Sequence, residues 1–346
     1  MRRREFVALL GGAAITWPLT GQAQPSGKVY RIAILHPSAP VADISETGDH
    51  PYFPVFFQEL RRLGYVEERN LTVDRYSGEG RIERHAELAR TAVGSKPDVI
   101  LAISPHMMLP LKEATATIPI VGITGDPVAS GLVTNLARPG GNITGISVDP
   151  GLEIYGKSLE IFKEAVPTIS RVAFLMPRPV WEGALPGSRT ANLAPGSRAV
   201  RQAADQLGMT VLDAALDSPI QESEYRRVFA AISQEGADAL VVGQPPENLT
   251  HRRLIVELAE KARLPALYPW RDYVVIGGLM AYAVDLKDVF RRAADQVDEI
   301  LKGATPSEMP IYQPTTFELI INAKTARALG LTLPPVLLAR ADEVIE

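Results

Sequence analysis

The sequence predicts an α/β protein made of two successive doubly wound units with a ligand cleft between them. Three observations carry this. Short apolar runs alternate with longer amphipathic stretches from Tyr30 onward, glycine and proline turn signals punctuate them, and the alternation begins afresh after Asn142–Ser147. With 346 residues, 46% hydrophobic and 22% charged, the chain is long enough to bury two medium cores.

In the first unit, Tyr30 to Leu35 reads as a strand. Phe53 to Leu63 reads as a helix because Phe53, Phe56, Phe57, Leu60 and Leu63 recur at helical spacing and Gly64 supplies the stop. Strands at 71–76, 99–103 and 120–123 then alternate with helices at 81–93 and 107–116. In the second unit, helices at 152–166, 197–207, 222–234 and 255–262 alternate with strands at 172–176, 209–214, 239–242 and 266–268. A helix at 286–301 and a strand at 317–321 follow, so the chain is expected to cross back between units. Strands of this kind are expected to run parallel. The stretch from Pro177 to Gly196, rich in proline and glycine, reads as one long irregular loop.

The N-terminus reads as a targeting peptide. Arg2, Arg3 and Arg4 precede an apolar run, Phe6 to Trp17, too short to span a bilayer, and Gly21-Gln22-Ala23 offers small residues for cleavage near Ala23. The arginines resemble a twin-arginine signal, although general secretory export fits equally well. No later run is long enough for a transmembrane helix, so a soluble periplasmic product without direct membrane insertion is expected. The absence of cysteine excludes a lipid anchor at the cleavage site, disulfides, thiolate metal sites and a cysteine nucleophile. Removing residues 1 to 23 moves the formal charge from −4 to −6, and an acidic domain is a poor nucleic-acid partner.

Enzyme motifs find little support. Gly151-Leu152-Glu153-Ile154-Tyr155-Gly156-Lys157-Ser158 satisfies the P-loop template, yet Leu152, Tyr155, Leu159, Phe162 and Val166 form a continuous helical stripe, which a phosphate cradle does not require. The five histidines show no metal-ligand spacing, so neither metal nor cofactor is expected. There is no GxSxG elbow and no catalytic residue is assigned.

The polar residues that end the predicted strands are more informative, because doubly wound sheets bind ligands beyond their carboxyl ends. His36, Ser104, Asp126 with Pro127, and Gln244 occupy such places. The stretch Tyr268-Pro269-Trp270-Arg271-Asp272-Tyr273 concentrates aromatic rings in a chain that is 6% aromatic; Trp270 suits stacking on a ligand, while Tyr273 suits packing. Arg271 and Asp126 have the charges to pair with a zwitterion, or simply to form surface ion pairs.

Several segments together resemble the ABC-transporter substrate-binding family related to tryptophan- and phenylalanine-binding proteins of the TrpX type. They are the leader Arg2 to Ala14, Phe57 to Asn70, Ile118 to Ile146, Tyr268 to Asp285, and Pro314 to Pro335 with the ending LLARADEVIE. The resemblance implies a type I periplasmic-binding-protein-like clamp of two Rossmann-like lobes joined by hinge strands near Ser147 and Asp285. It implies lobe 1 at 28–148 plus about 284–306, and lobe 2 at 149–283 plus about 307–346. It further implies a monomer that closes on a small organic solute, an amino acid or related compound, and delivers it to an inner-membrane ABC permease. By matching segment, the cleft is expected to be lined by His36, Ser104, Asp126 and Pro127 from one lobe, and by Gln244, Tyr268, Trp270 and Tyr282 from the other lobe and the crossover. An exported α/β enzyme and a ligand-sensing signalling domain are the alternative readings.

Overall fold

The computed structural model describes residues 28–148, 153–182 and 195–346; the leader and its Ala23 site lie outside them. The first unit runs β1 (Tyr30–His36), α1 (Phe53–Arg62), β2 (Leu71–Ser77), α2 (His85–Gly94), β3 (Val99–Ile103), α3 (Pro105–Ala114), β4 (Ile120–Thr124) and β5 (Ile143–Ser147). Its sheet has the order β2-β1-β3-β4-β5, with every pairing parallel. All five residues of β3 and of β4 are buried, as expected for strands covered on both faces. Helix α1 buries Phe53, Phe56, Phe57 and Leu60. It stops where Gly64 turns the chain at φ +99°.

The second unit runs α4 (Glu153–Ala165), β6 (Arg171–Pro177), α5 (Arg178–Trp181), α6 (Pro195–Gln206), β7 (Thr210–Leu216), α7 (Glu222–Gln234), β8 (Ala239–Val242), α8 (Pro246–Thr250), α9 (Arg252–Lys261), β9 (Ala266–Tyr268), α10 (Arg271–Val275) and β10 (Met280–Ala283). Gly156, Lys157 and Ser158 lie inside α4, whose Leu159 and Phe162 are buried, so this part of the P-loop match is helix; Gly151 and Leu152 lie outside the described residues.

The chain then returns to the first sheet. Helix α11 (Leu286–Leu301) is capped by Asp285, whose carboxylate accepts the Lys287 amide at 2.8 Å, and it packs against α1, β3, β4 and β5. Its stripe of Leu286, Val289, Phe290, Ala293, Ala294 and Val297 is buried there. The chain stays with that sheet to Tyr312, whose carbonyl accepts the Ser147 amide at 2.8 Å and whose amide donates to the Gly145 carbonyl at 2.9 Å. Only then does it add β11 (Glu318–Asn322), α12 (Ala323–Ala328), α13 (Pro335–Arg340) and β12 (Glu343–Ile345) to the second unit. The order of that sheet is β12-β11-β10-β9-β8-β6-β7.

Two expectations need correction. The second sheet is mixed, because β11 pairs antiparallel with β10. The reason is the crossing: β10 leaves the sheet at its carboxyl end, and the returning chain re-enters at that same end and must run back. The irregular stretch after Pro177 is also shorter than read. Pro177 completes β6, residues 178–181 wind into a helical turn, and α6 already begins at Pro195; residues 183–194 lie outside the described ones. Trp181 is buried edge-on against Phe174, ring centroids 5.4 Å apart, with the Arg201 guanidinium 4.4 Å over its ring.

Candidate functional site

The carboxyl ends of both sheets face one cleft, with about 1250 Å³ of empty space including its open mouth. The first sheet contributes His36 at the end of β1, Ile103 and Ser104 at the end of β3, Thr124 and Asp126 at the end of β4, and Val148 after β5. The second contributes Met176 near the end of β6, Gln244 after β8 and Trp270 after β9, while the crossing helix α11 adds Leu286 and Phe290. A smaller chamber adjoins it, sharing Gln244 and Trp270 and lined further by Tyr268, Tyr282 and Phe317.

The expected residues therefore fall in three places. His36, Ser104, Asp126, Gln244 and Trp270 line the main cleft. Tyr268 and Tyr282 line the adjoining chamber, Tyr268 stacked on the fully buried Tyr273 with ring centroids 5.0 Å apart. Pro127 is buried and lines neither space; its carbonyl accepts the Leu132 amide at 2.9 Å and so shapes the loop behind Asp126. Arg271 also points away. Its guanidinium is held by both carboxylate oxygens of Glu343, one at 3.0 Å, which binds α10 to β12 rather than to a solute.

Local chemistry sets how each polar group is presented. Ser104 caps α3, its hydroxyl accepting the His106 amide at 3.3 Å, and holds φ +82°, an uncommon angle for a residue with a side chain. Asp126 accepts the amides of Val128 and Ala129 at 2.9 Å through one oxygen, which fixes its loop. Gln244 sits on a turn secured from beneath by Asn248. That fully buried amide donates to the carbonyls of Leu175 at 3.2 Å and Gly243 at 3.1 Å, and its oxygen accepts the Tyr225 hydroxyl at 3.0 Å.

The sequence reading missed a gathering of histidines. His36 ends β1, His50 lies between β1 and α1, His85 opens α2 after β2, and His106 lies in the first turn of α3 after β3. The signal was one histidine or more after each of three successive strands. His36, His50 and His106 line the cleft; the rings of His36 and His50 meet edge to face at 5.4 Å. Burial and the neighbouring His85 hold His36 down to about 3 and His106 to about 4, and burial holds His50 well below the usual range, so the wall is neutral at pH 7. The His36 Nδ1 accepts the amides of Ser38 at 3.1 Å and Ala39 at 2.8 Å, which places the proton on Nε2. The His50 Nε2 and the Thr124 hydroxyl are buried without a protein partner, both on residues of the cleft wall. Among the described residues, no group of three or more potential ligands is placed to hold a metal ion.

A cleft with apolar and aromatic walls, neutral histidines and a few fixed polar groups, the Asp126 side chain among them, is built to bury an organic molecule. Comparison with known proteins agrees in kind. The family model described as ABC transporter substrate binding protein matches residues 55–345. A tyrosine-binding protein of Clostridioides difficile (strain R20291) is 24% identical over 296 residues, covering 83% of this chain and 80% of that protein. Among solved structures, a conserved domain protein from Vibrio cholerae O1 biovar El Tor superposes with a TM-score of 0.76 at 24% identity, covering 92% of this chain and all of that one. An ABC domain in complex with L-Trp from Streptococcus pneumonia gives 0.73 at 22% identity, covering 91% of this chain and 99% of that one.

Proposed function

Because the chain belongs to the family of ABC transporter substrate-binding proteins, we propose that it captures an amino acid with an aromatic side chain, or a related small compound, outside the cytoplasm and delivers it to an inner-membrane ABC permease. The observation that carries this reading is the cleft lined from the carboxyl ends of both sheets, since a solute touching both walls favours the closed arrangement over the open one. The rings of Trp270, Phe174 and Phe290 suit an aromatic body, and the polar groups of the first sheet's wall, Asp126 among them, suit its polar end. The relative named for tyrosine and the neighbour that holds L-tryptophan support the same solute class. We take the lobes as residues 28–148 with the crossing segment from 284, and 149–283 with the C-terminal strands, the return falling after Tyr312. We read the protein as a monomeric binder without catalytic residue or cofactor, exported by its N-terminal leader and processed near Ala23.

The test is a thermal-shift and calorimetric screen of L-tryptophan, L-tyrosine, L-phenylalanine, other amino acids and sugars. A cognate solute at about a thousand times its dissociation constant stabilises the fold by roughly 4 kcal/mol, and incubation must leave it chemically unchanged. Stabilisation by sugars alone overturns the solute class, and turnover of the bound compound overturns the binder reading.

A further inference from the structure

The structure assigns a latch to the jaw tips of the clamp, formed by protein groups alone and outside the solute cleft. The inference rests on the two-lobed reading above and goes beyond it. Three crossings join the two sheets. Two of them leave and rejoin the first unit beside its edge strand β5, while the third carries β10 into α11, whose Phe290 meets Tyr52 and Phe53 at the start of α1. The opposite edges are β2 in the first sheet and β7 in the second.

The loops that follow those two far strands touch. The Ile220 amide, after β7, donates to the Gly80 carbonyl, after β2, at 2.9 Å, and the Ser218 hydroxyl donates to the Glu83 carboxylate at 3.0 Å. Further contacts between the lobes run from there toward the β10–α11 crossing, where Tyr52, Arg252 and Asp272 line one space with Ala283–Lys287. The hydroxyls of Ser38 and Thr250 meet at 2.8 Å, with Ser38 as the donor because Thr250 already donates to the Pro246 carbonyl at 3.1 Å. Arg252 donates to the Asp49 carbonyl at 3.3 Å, and the Tyr52 hydroxyl donates to Asp272. None of Gly80, Glu83, Ser218, Ile220, Ser38 and Thr250 lines the cleft.

Gly80 shows how closely the tips fit. It holds φ +73°, and a Cβ built on it would fall on the Ile220 carbonyl across the seam. Its own loop is secured within the first unit, the Gly80 amide donating to the Pro37 carbonyl at 3.0 Å and the Gly78 amide to the His36 carbonyl at 2.9 Å. The collision is thus with the other lobe, not with Gly80's own surroundings. Contacts between protein groups of the two lobes, made at tips that follow the edge strands opposite β5, bias the clamp toward closure and raise the fraction of molecules competent to hold a ligand.

The experiment compares the full chain, without added solute, with Gly80→Ala, with Ser38→Ala/Thr250→Val, and with Gly64→Ala. The last is a matched control, since Gly64 has the same backbone hand (φ +99°) but open space around its missing Cβ. Small-angle X-ray scattering and amide exchange are read on each. The latch requires Gly64→Ala to scatter like wild type, Gly80→Ala and the double variant to be more extended, and the Ile220 amide to lose roughly tenfold protection in both. Equal radii of gyration across all four proteins, or an Ile220 amide exchanging as freely in wild type as in the variants, overturns it. No solute enters this experiment, so its failure and a failed solute screen are read separately.

Discussion

Asn248→Ala tests the support beneath the cleft. The side chain is fully buried and makes three hydrogen bonds, to the carbonyls of Leu175 and Gly243 and from the hydroxyl of Tyr225, itself fully buried. Truncation to alanine leaves the Gly243 carbonyl and the Tyr225 hydroxyl without these partners, while the Leu175 carbonyl keeps the Gly243 amide at 3.0 Å, and each group left unpaired costs about 1–3 kcal/mol to desolvate. With partial relaxation of the site, a loss of about 3 kcal/mol is expected, a large share of the 5–15 kcal/mol that stabilises a typical domain. Tyr225→Phe removes one of the bonds and should cost about 1 kcal/mol; the double variant should fall short of the sum, because both changes delete the same contact. Denaturant unfolding followed by circular dichroism measures all three. An Asn248→Ala protein within 0.5 kcal/mol of wild type would refute the reasoning. Because Gly243 precedes Gln244 on the cleft wall, the same variant should also weaken solute binding.

Two further outcomes follow from the geometry. Trp270→Ala removes a buried ring that lines both chambers and should weaken binding of the cognate solute by roughly 2 kcal/mol, about thirtyfold, with the circular dichroism spectrum retained; unchanged affinity in calorimetry removes Trp270 from the site. Acid should destabilise the fold through the histidines. Burial holds His36 at about 3 and His85 and His106 at about 4, whereas an unfolded histidine titrates near 6.5, so the unfolded chain binds more protons between these values. Stability then falls as pH drops from 6.5 toward 4, by up to about 1.4 kcal/mol per unit for each histidine. Glu247, which burial raises to about 7, acts in the opposite sense, its folded state being favoured below that pH. Melting temperatures between pH 7 and 4.5 should therefore decline, less steeply in His106→Gln, and a flat profile contradicts the neutral-histidine wall.

The parts of the fold that were legible in sequence are those where one physical signal dominates. The phenylalanines of α1 repeat at helical spacing, and the unbroken apolar runs of β3 and β4 are what two covered faces demand. The single-turn helices α8 and α10 are too short to show a period, and β10 follows Gly277-Gly278, which reads as a turn. Strand direction escaped for another reason: β11 looks like any buried strand, and only the place where the chain re-enters makes it antiparallel. Within the site, strand-end logic located His36, Ser104, Asp126 and Gln244 at the cleft. It could not separate Arg271 from them, because the partner that removes it, Glu343, arrives from the far end of the chain. Asn248 and the histidine wall are products of tertiary assembly, and no short window of sequence contains them.

The path of α11 also bears on how the protein is made. The sheet of β1 to β5 is translated early, yet the helix that covers it and packs on α1 arrives only with residues 286–301, after nearly all of the second unit has been synthesised. Until then Phe53, Phe56 and the inner faces of β3 to β5 lack their cover, so the first unit cannot complete its core during its own synthesis. A chain that matures this late remains open to chaperones and proteases for most of its translation, and a nascent product ending before Leu286 would be the form most exposed to degradation.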